Sequence, residues 1–338
     1  MPMTRRTAAW SLVAWAAAGV CPAQSWAAIP NAAARAPTPG VASMGAPAAP
    51  PVDGQPDASQ PDASQPDASQ LDGGDDGFEH MTVPVTINGQ GPFPFMVDTG
   101  ANISCIARRV ADTLALPMEP PRNVHTVVGV RSQPLVQIGE LRVGAQKRHD
   151  MSVLALPLDD PKLCGVLAVD WLQNQRLTLD FTRNSLEVAP SRDEFTRPGR
   201  VVVPARRRHG QLTIVEAELG ERPINALIDS GSEASLCNTA LRRMLDRAGA
   251  PQFKPQLVNM VSILGEAFAG EMIYLPFLRL GGLQLGNVPV VQSDSHVFEI
   301  WGVAEEAAVL LGMDLLRQFR AVSLDFGRSQ VRFDLLDA

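Results

Sequence analysis

Phe95-Met96-Val97-Asp98-Thr99-Gly100-Ala101 and Ala226-Leu227-Ile228-Asp229-Ser230-Gly231-Ser232 decide how this 338-residue chain folds. In each, an apolar triplet with strand character delivers Asp-(Thr/Ser)-Gly at the strand end. The surroundings repeat as well. His80 to Gly91 is an alternating strand closed by an Asn-Gly turn, and Gln211 to Gly220 is a strand and turn ahead of the second motif. Downstream, Val166-Leu-Ala-Val-Asp-Trp-Leu172 precedes Leu177-Thr-Leu-Asp-Phe181, just as Leu310-Leu-Gly-Met-Asp-Leu-Leu316 precedes Val322-Ser-Leu-Asp-Phe326. A single Asp-(Thr/Ser)-Gly in a chain of this length arises by chance roughly once in ten, from average residue usage. Two unrelated tight turns would not share the same flanking blocks, so internal duplication is the simplest account.

Working outward, the ends of the chain differ from its body. Residues 1–27 follow a secretory plan: Arg5-Arg6, an apolar run from Ala8 to Val20, then small residues around Ser25-Trp26-Ala27. The run is shorter than the about 20 residues that a spanning helix needs. Cleavage after Ala27 or near Cys21-Pro22-Ala23, or lipidation at Cys21, are the alternatives. Residues 28–76 hold three consecutive Gln-Pro-Asp-Ala-Ser copies and bury too little apolar surface to fold, so they form an extended, disordered tether. A pro-segment that blocks an active site is the competing reading of that stretch. Residues 77–192 and 200–338 are then two lobes, joined by Pro190 to Arg200 and a basic cluster, Arg206-Arg-Arg-His209, expected in a solvated loop.

The net charge of −7 sits mostly on the tether aspartates, leaving the lobes near neutral. A near-neutral body argues against nucleic-acid binding, and no apolar run of the mature chain is long enough for a membrane span. Localisation by export, to a bacterial periplasm or outside the cell, follows from the leader. Cys105, Cys164 and Cys237 each lie in apolar sequence and read as buried hydrophobes rather than a disulfide. The five histidines lack metal-ligand spacing, so no metal and no cofactor is expected.

The duplicated motifs resemble the aspartic peptidases, specifically the retropepsin-like branch, over nearly all of 79–337. The resemblance implies an all-β fold of two pseudo-symmetric, barrel-like acid protease lobes with a few short helices. It implies that Asp98 and Asp229 are catalytic and share an attacking water. Thr99, Gly100 and Ala101, with Ser230, Gly231 and Ser232, would support the catalytic loops, Thr99 and Ser230 bonding across the axis. An apolar-apolar-Gly strand end should pack under each loop. Leu310-Leu311-Gly312 fits this, while Val166-Leu167-Ala168 carries Ala for Gly. Val128, Gly129 and Val130 in the first lobe, and Leu264 and Gly265 in the second, mark glycine-tipped flaps over a peptide or protein substrate. Ordinary surface hairpins are the plainer reading of both. The only tyrosine, Tyr274, lies beyond Gly265, so a pepsin-type flap tyrosine is absent.

Two carboxyls in contact can take a proton from water and give one to a carbonyl oxygen, because like charges that close cannot both ionise. Ser232 is expected to donate a hydrogen bond to Asp229, which Ala101 cannot do for Asp98, leaving Asp98 as the partner that keeps the proton. Asp170 and Asp314 read as helix caps or structural hydrogen-bond acceptors, and Arg108-Arg109 and Arg242-Arg243 as solvent-facing helix residues. The expected molecule is a monomeric aspartic endopeptidase. The rivals are a non-catalytic peptide-binding scaffold on the same fold, and a swapped dimer.

Overall fold

The computed structural model describes residues 81–158, 160–193, 198–208, 211–214, 216–249 and 256–336, with short backbone segments at 8–10, 15–16, 69–72 and 74–75. Most of the leader and tether, and His209, lie outside the described residues. What is described is an all-β molecule in two lobes with four short helices among the described residues, α1 (Arg108–Thr113), α2 (Thr239–Arg247), α3 (His296–Ile300) and α4 (Met313–Leu316).

Each lobe is a sheet that curls until its ends meet. In lobe 1, Met81–Ile87 pairs with Gln90–Val97 on one side and with the far end of Val130–Val143 on the other, which closes the barrel. Gln90–Val97 then runs parallel to Gly165–Leu167, which pairs with Cys105–Ala107. Lobe 2 repeats the plan: Asn225–Ile228 runs parallel to Ala308–Leu311, and Leu236–Cys237 pairs beside it. Apolar alternation drives the closure. Val83, Val85 and Ile87 point inward and are essentially fully buried, as are Leu278 and Leu280 in the second lobe.

The lobes share a third sheet. Gln175–Asp180 of lobe 1 pairs antiparallel with Ala321–Asp325 of lobe 2, in register Arg176↔Asp325 through Asp180↔Ala321. Near its middle the Thr178 and Ser323 hydroxyls lie 3.0 Å apart. The repeated Leu-Asp-Phe blocks are the strands of this sheet and the turns that leave them. Asp180 Oδ1 accepts from the Arg183 amide at 2.9 Å, and Asp325 Oδ1 from the Arg328 amide at 3.0 Å, capping two equivalent hairpin turns.

The basic cluster is a correction to the sequence reading. Arg200–Arg208 is a strand, pairing with Gln330–Asp334 and then with Gln211–Ile214, and it carries the chain from the shared sheet into lobe 2. The three arginines at its end do face solvent. Val203 and Ala205 alternate inward, and that period-two signal outweighs the loop-like charge run. At the tether's C-terminal end, backbone 69–72 pairs with Ser185–Val188 at the rim of the shared sheet.

Leu177 is fully buried where the lobes meet. Leu177→Ala should destabilise the protein by about 2–5 kcal/mol through lost burial and a residual cavity. Urea denaturation would check it, with both lobes losing structure in one transition.

Candidate active site

The two Asp-(Thr/Ser)-Gly loops meet on the pseudo-two-fold axis. Each leaves its strand under the same constraint: Asp98 N donates to Leu167 O at 2.9 Å, and Asp229 N to Leu311 O at 3.0 Å. These bonds hold each aspartate at the end of a parallel strand pair. The loops then grip one another. Thr99 Oγ1 donates to Ile228 O at 3.0 Å while accepting from Ser230 N at 3.0 Å. Ser230 Oγ donates to Val97 O at 2.8 Å and accepts from Thr99 N at 3.2 Å. All four bonds cross between lobes and are buried, so they lose little to water.

The carboxyls lie inside this grip, Asp98 and Asp229 being 0% and 1% exposed. Asp98 Oδ1 accepts from the amides of Gly100 at 2.7 Å and Ala101 at 3.0 Å, and Asp229 Oδ1 accepts from Gly231 N at 2.9 Å. Asp98 Oδ2 is buried with no donor. Its side-chain partner is the Asp229 carboxyl, which becomes a hydrogen-bond partner when a proton lies between them. Burial first, then the charge of Asp229, push the Asp98 carboxyl well above the usual carboxylate range, against the pull of its two amides. Gly100 is required by proximity, since a Cβ there would fall onto the Asp229 carboxyl.

Ser232 departs from expectation. Its hydroxyl donates to Ala234 O at 2.8 Å, within its own loop, and is therefore not the donor to Asp229. Burial and a facing carboxyl act on both aspartates, and together they raise the proton affinity of the pair.

Under each loop lies a serine–aspartate brace, present twice. Ser104 donates through N and Oγ to Asp170, at 2.9 and 2.6 Å, and its Oγ accepts from Ala168 N at 3.0 Å. Ser235 does the same with Asp314, at 3.0 and 2.7 Å, accepting from Gly312 N at 3.0 Å. Asp170 and Asp314 are thus structural acceptors, as their sequence setting suggested. Burial raises the pKa of each, and the serine bonds oppose that rise. Ser104 and Ser235 escaped the sequence reading, although both stand six residues after their catalytic-loop aspartate.

The Ala168 substitution leaves the first loop supported. Val169 N reaches Ala101 O at 3.1 Å, matching Met313 N to Ser232 O at 2.7 Å. Gly312, by contrast, has Ala234 backbone 2.6 Å from where a Cβ would stand.

Two hairpins carry the glycine-tipped turns, here termed flap 1 (Met118–His125 with Val130–Val143) and flap 2 (Gln256–Ser262 with Ala267–Leu280). Their tips are built alike: Thr126 Oγ1 accepts from the Val128 and Gly129 amides, and Ser262 Oγ from the Leu264 and Glu266 amides, each at 3.2 Å. Gly265 has φ +78°, a conformation that favours glycine. Val128 and Val130 are exposed. The tips touch, Glu266 taking Arg131 at 2.7 Å and lying 3.2 Å from Thr126 Oγ1.

Arg109 and Arg242 are less free than expected. Arg109 donates to the carbonyls of Leu158, Asp160, Pro161 and Leu163, pinning that loop to α1, and Arg242 is partly buried against Asp246. Cys105, Cys164 and Cys237 are free thiols, the first and last buried and pushed up in pKa by burial. Among the described residues no group of three or more His, Cys, Asp or Glu could hold a metal ion, and no helix is long and apolar enough to cross a membrane.

Two similarly built lobes that present paired, buried aspartates on gripped Asp-(Thr/Ser)-Gly loops define the aspartic peptidase class of folds. The family described as aspartyl protease matches residues 83–171 and 215–315, more than half of the chain, and the chain belongs to it. The matched segments are the two lobes, each including its aspartate loop and its brace. No curated relative matches.

Gly312→Ala should lower the melting temperature by several degrees, because backbone rather than a pliable side chain blocks the methyl. Ala168→Gly should cost no more than about 1 kcal/mol. Thermal unfolding of the two variants side by side would check the asymmetry.

Proposed function

We propose that the chain is an aspartic endopeptidase in which Asp98 and Asp229 activate one water against a peptide bond. The observation that carries this is the buried pair itself, with Asp98 Oδ2 lacking any donor while it faces a second carboxyl. Such a pair holds one proton between two oxygens and titrates as a unit. With the proton on Asp98, Asp229 is the base.

Asp229 takes a proton from the water as its oxygen bonds to the scissile carbonyl carbon, and Asp98 gives its proton to the carbonyl oxygen. The tetrahedral diol then collapses: the C–N bond breaks, the amine leaves with the proton held by Asp229, and Asp98 recovers its own from the diol hydroxyl. Atoms balance, and the pair ends as it began. Gly100 and Gly231 bring amides to the carboxyls, the Thr99/Ser230 grip fixes their separation, and Ala101 and Ser232 close the loops beneath. Val128, Gly129, Val130, Leu264 and Gly265 form the roof that excludes water and pairs with an extended substrate. The flap edges suit that task, since short backbone segments of this chain pair with them, Ala8–Trp10 alongside Met260–Ser262 and Trp15–Ala16 alongside Val124–His125.

Incubation with a diverse peptide pool, read by mass spectrometry, tests the reading. Asp98→Asn and Asp229→Asn should each lower turnover by about 10²–10⁴-fold or more while circular dichroism stays that of the wild type. A variant that keeps near-wild-type turnover would refute it. The pH dependence has a definite sign. An acid whose folded pKa is raised binds its proton more tightly when folded, so its contribution to stability is full in acid and fades as pH rises through that raised pKa. Wild-type activity and stability should therefore both decline above the ordinary carboxylate range, and Asp98→Asn should remove that part of the stability decline.

A further inference from the structure

Flap 1 is anchored in the opposite lobe. Its tip residue Val127 is 3% exposed, buried among Leu236, Met260, Val297, Phe298 and Trp301 of lobe 2. The Val127 carbonyl accepts from His296 N at 2.9 Å. Beside that bond His125 Nδ1 lies 2.9 Å from His296 Nε2, the rings stacked 5.1 Å apart and 13° from parallel. His296 Nδ1 lies 2.8 Å from Glu299 Oε2. Both His296 and Glu299 belong to α3, in the segment joining Leu283–Gln292 to Ala308–Leu311, which is longer than its lobe 1 counterpart between Gln146–Leu156 and Gly165–Leu167.

We propose that His125 and His296 form a proton-operated latch that holds flap 1 shut on lobe 2 and releases it on acidification, opening the cleft. The release of the flap is independent of what the cleft binds; that it admits peptide rests on the function proposed above.

Counting protons shows why the latch opens in acid. With both rings neutral, His296 donates from Nδ1 to Glu299 and accepts at Nε2 from His125. With one proton added, the His296 imidazolium donates to both Glu299 and His125, and the contact survives. With two, both facing nitrogens are donors and two stacked rings carry like charge, so the contact is lost. Closure therefore opposes charging of His125, whose pKa is lowered from 6.5 by burial and then by His296. Among the described residues, the charged and titratable groups around the pair come from three elements. From α3 come His296 and Glu299, with Asp294 just before it engaged by Thr239. Flap 2 brings Glu266, which is held by Arg131 of flap 1. The backbone segment Trp15–Ala16 paired with Val124 and His125 brings none.

Sign and range follow. The closed flap binds fewer protons than the open one, so closure is unopposed above about pH 6.5 and weakens by up to about tenfold per pH unit below it, until His125 charges in the closed state.

The test is amide exchange of residues 124–131, read by mass spectrometry on the full chain carrying Asp98→Asn to prevent self-digestion. Rates are corrected for intrinsic pH dependence between about pH 7.5 and 5. The latch requires opening of flap 1 to rise about tenfold or more across that range, and His125→Gln and His296→Gln to abolish the rise. The carbon shifts of His125 should also titrate at lower pH in this protein than in His296→Gln. A flat profile, a rise that persists in both glutamine variants, or an unshifted His125 would overturn the latch. None of these outcomes touches the peptidase reading, which stands or falls on peptide cleavage by the wild type and its loss in Asp98→Asn.

Discussion

Everything in the molecule depends on keeping two carboxyls in contact away from water. Two full charges about 4 Å apart would repel by about 4 kcal/mol at an effective dielectric near 20, before any cost of burial. The fold meets this in two ways. Burial, and then the facing carboxyl, raise the pKa of Asp98, which disfavours a second charge on the pair. The four buried bonds between Thr99, Ser230 and the carbonyls of Val97 and Ile228 contribute about 1 kcal/mol each, enough to hold the loops against what repulsion is left. Because each loop supplies half of that grip, neither loop holds its aspartate in this place alone. The shared sheet through Thr178 and Ser323 joins the same lobes at a second place and keeps them from rocking.

Much of this was legible from residues. The repeated motifs placed both aspartates, the glycines of their loops and the strands behind them. Two kinds of feature stayed hidden. The first was hydrogen-bond direction: Ser232 has the right chemistry to donate to Asp229, but its hydroxyl donates to Ala234 O two residues on, a local side-chain-to-backbone bond. The second was the brace of Ser104 and Ser235, whose partners Asp170 and Asp314 are 66 and 79 residues distant. Serine in a loop carries no periodicity, so nothing local marks it. The strand Arg200–Arg208 was hidden for the opposite reason, its charge run masking a correct alternation at Val203 and Ala205.

The copies are alike where the chemistry is and unlike around it. Ala168 stands for Gly312, and the loop above it is still supported, because in lobe 1 that position has room for a methyl that Ala234 would block in lobe 2. Flap tips share their Thr/Ser turn, but His125 stands where flap 2 has Val261, and Val130 where flap 2 has Glu266. Those differences produce a one-sided arrangement. Flap 1 inserts Val127 into lobe 2 and meets α3, while Glu266 of flap 2 reaches across to Arg131.

Such one-sidedness needs two lobes in one chain. In a homodimer of single lobes every residue occurs twice across the axis, so a histidine that helps one flap close must also appear on the other, and a longer segment that receives one flap must appear in both subunits. Two lobes in one chain remove that tie. One copy is free to lengthen the segment carrying His296 while the other keeps the short loop pinned by Arg109, and the flap histidine can be kept on the side that faces it. The catalytic loops could not diverge in this way, because their grip is reciprocal and a change in one leaves the other's donor buried without an acceptor. Symmetry is therefore retained at the aspartates, where each half depends on the other, and lost at the flaps, where it does not.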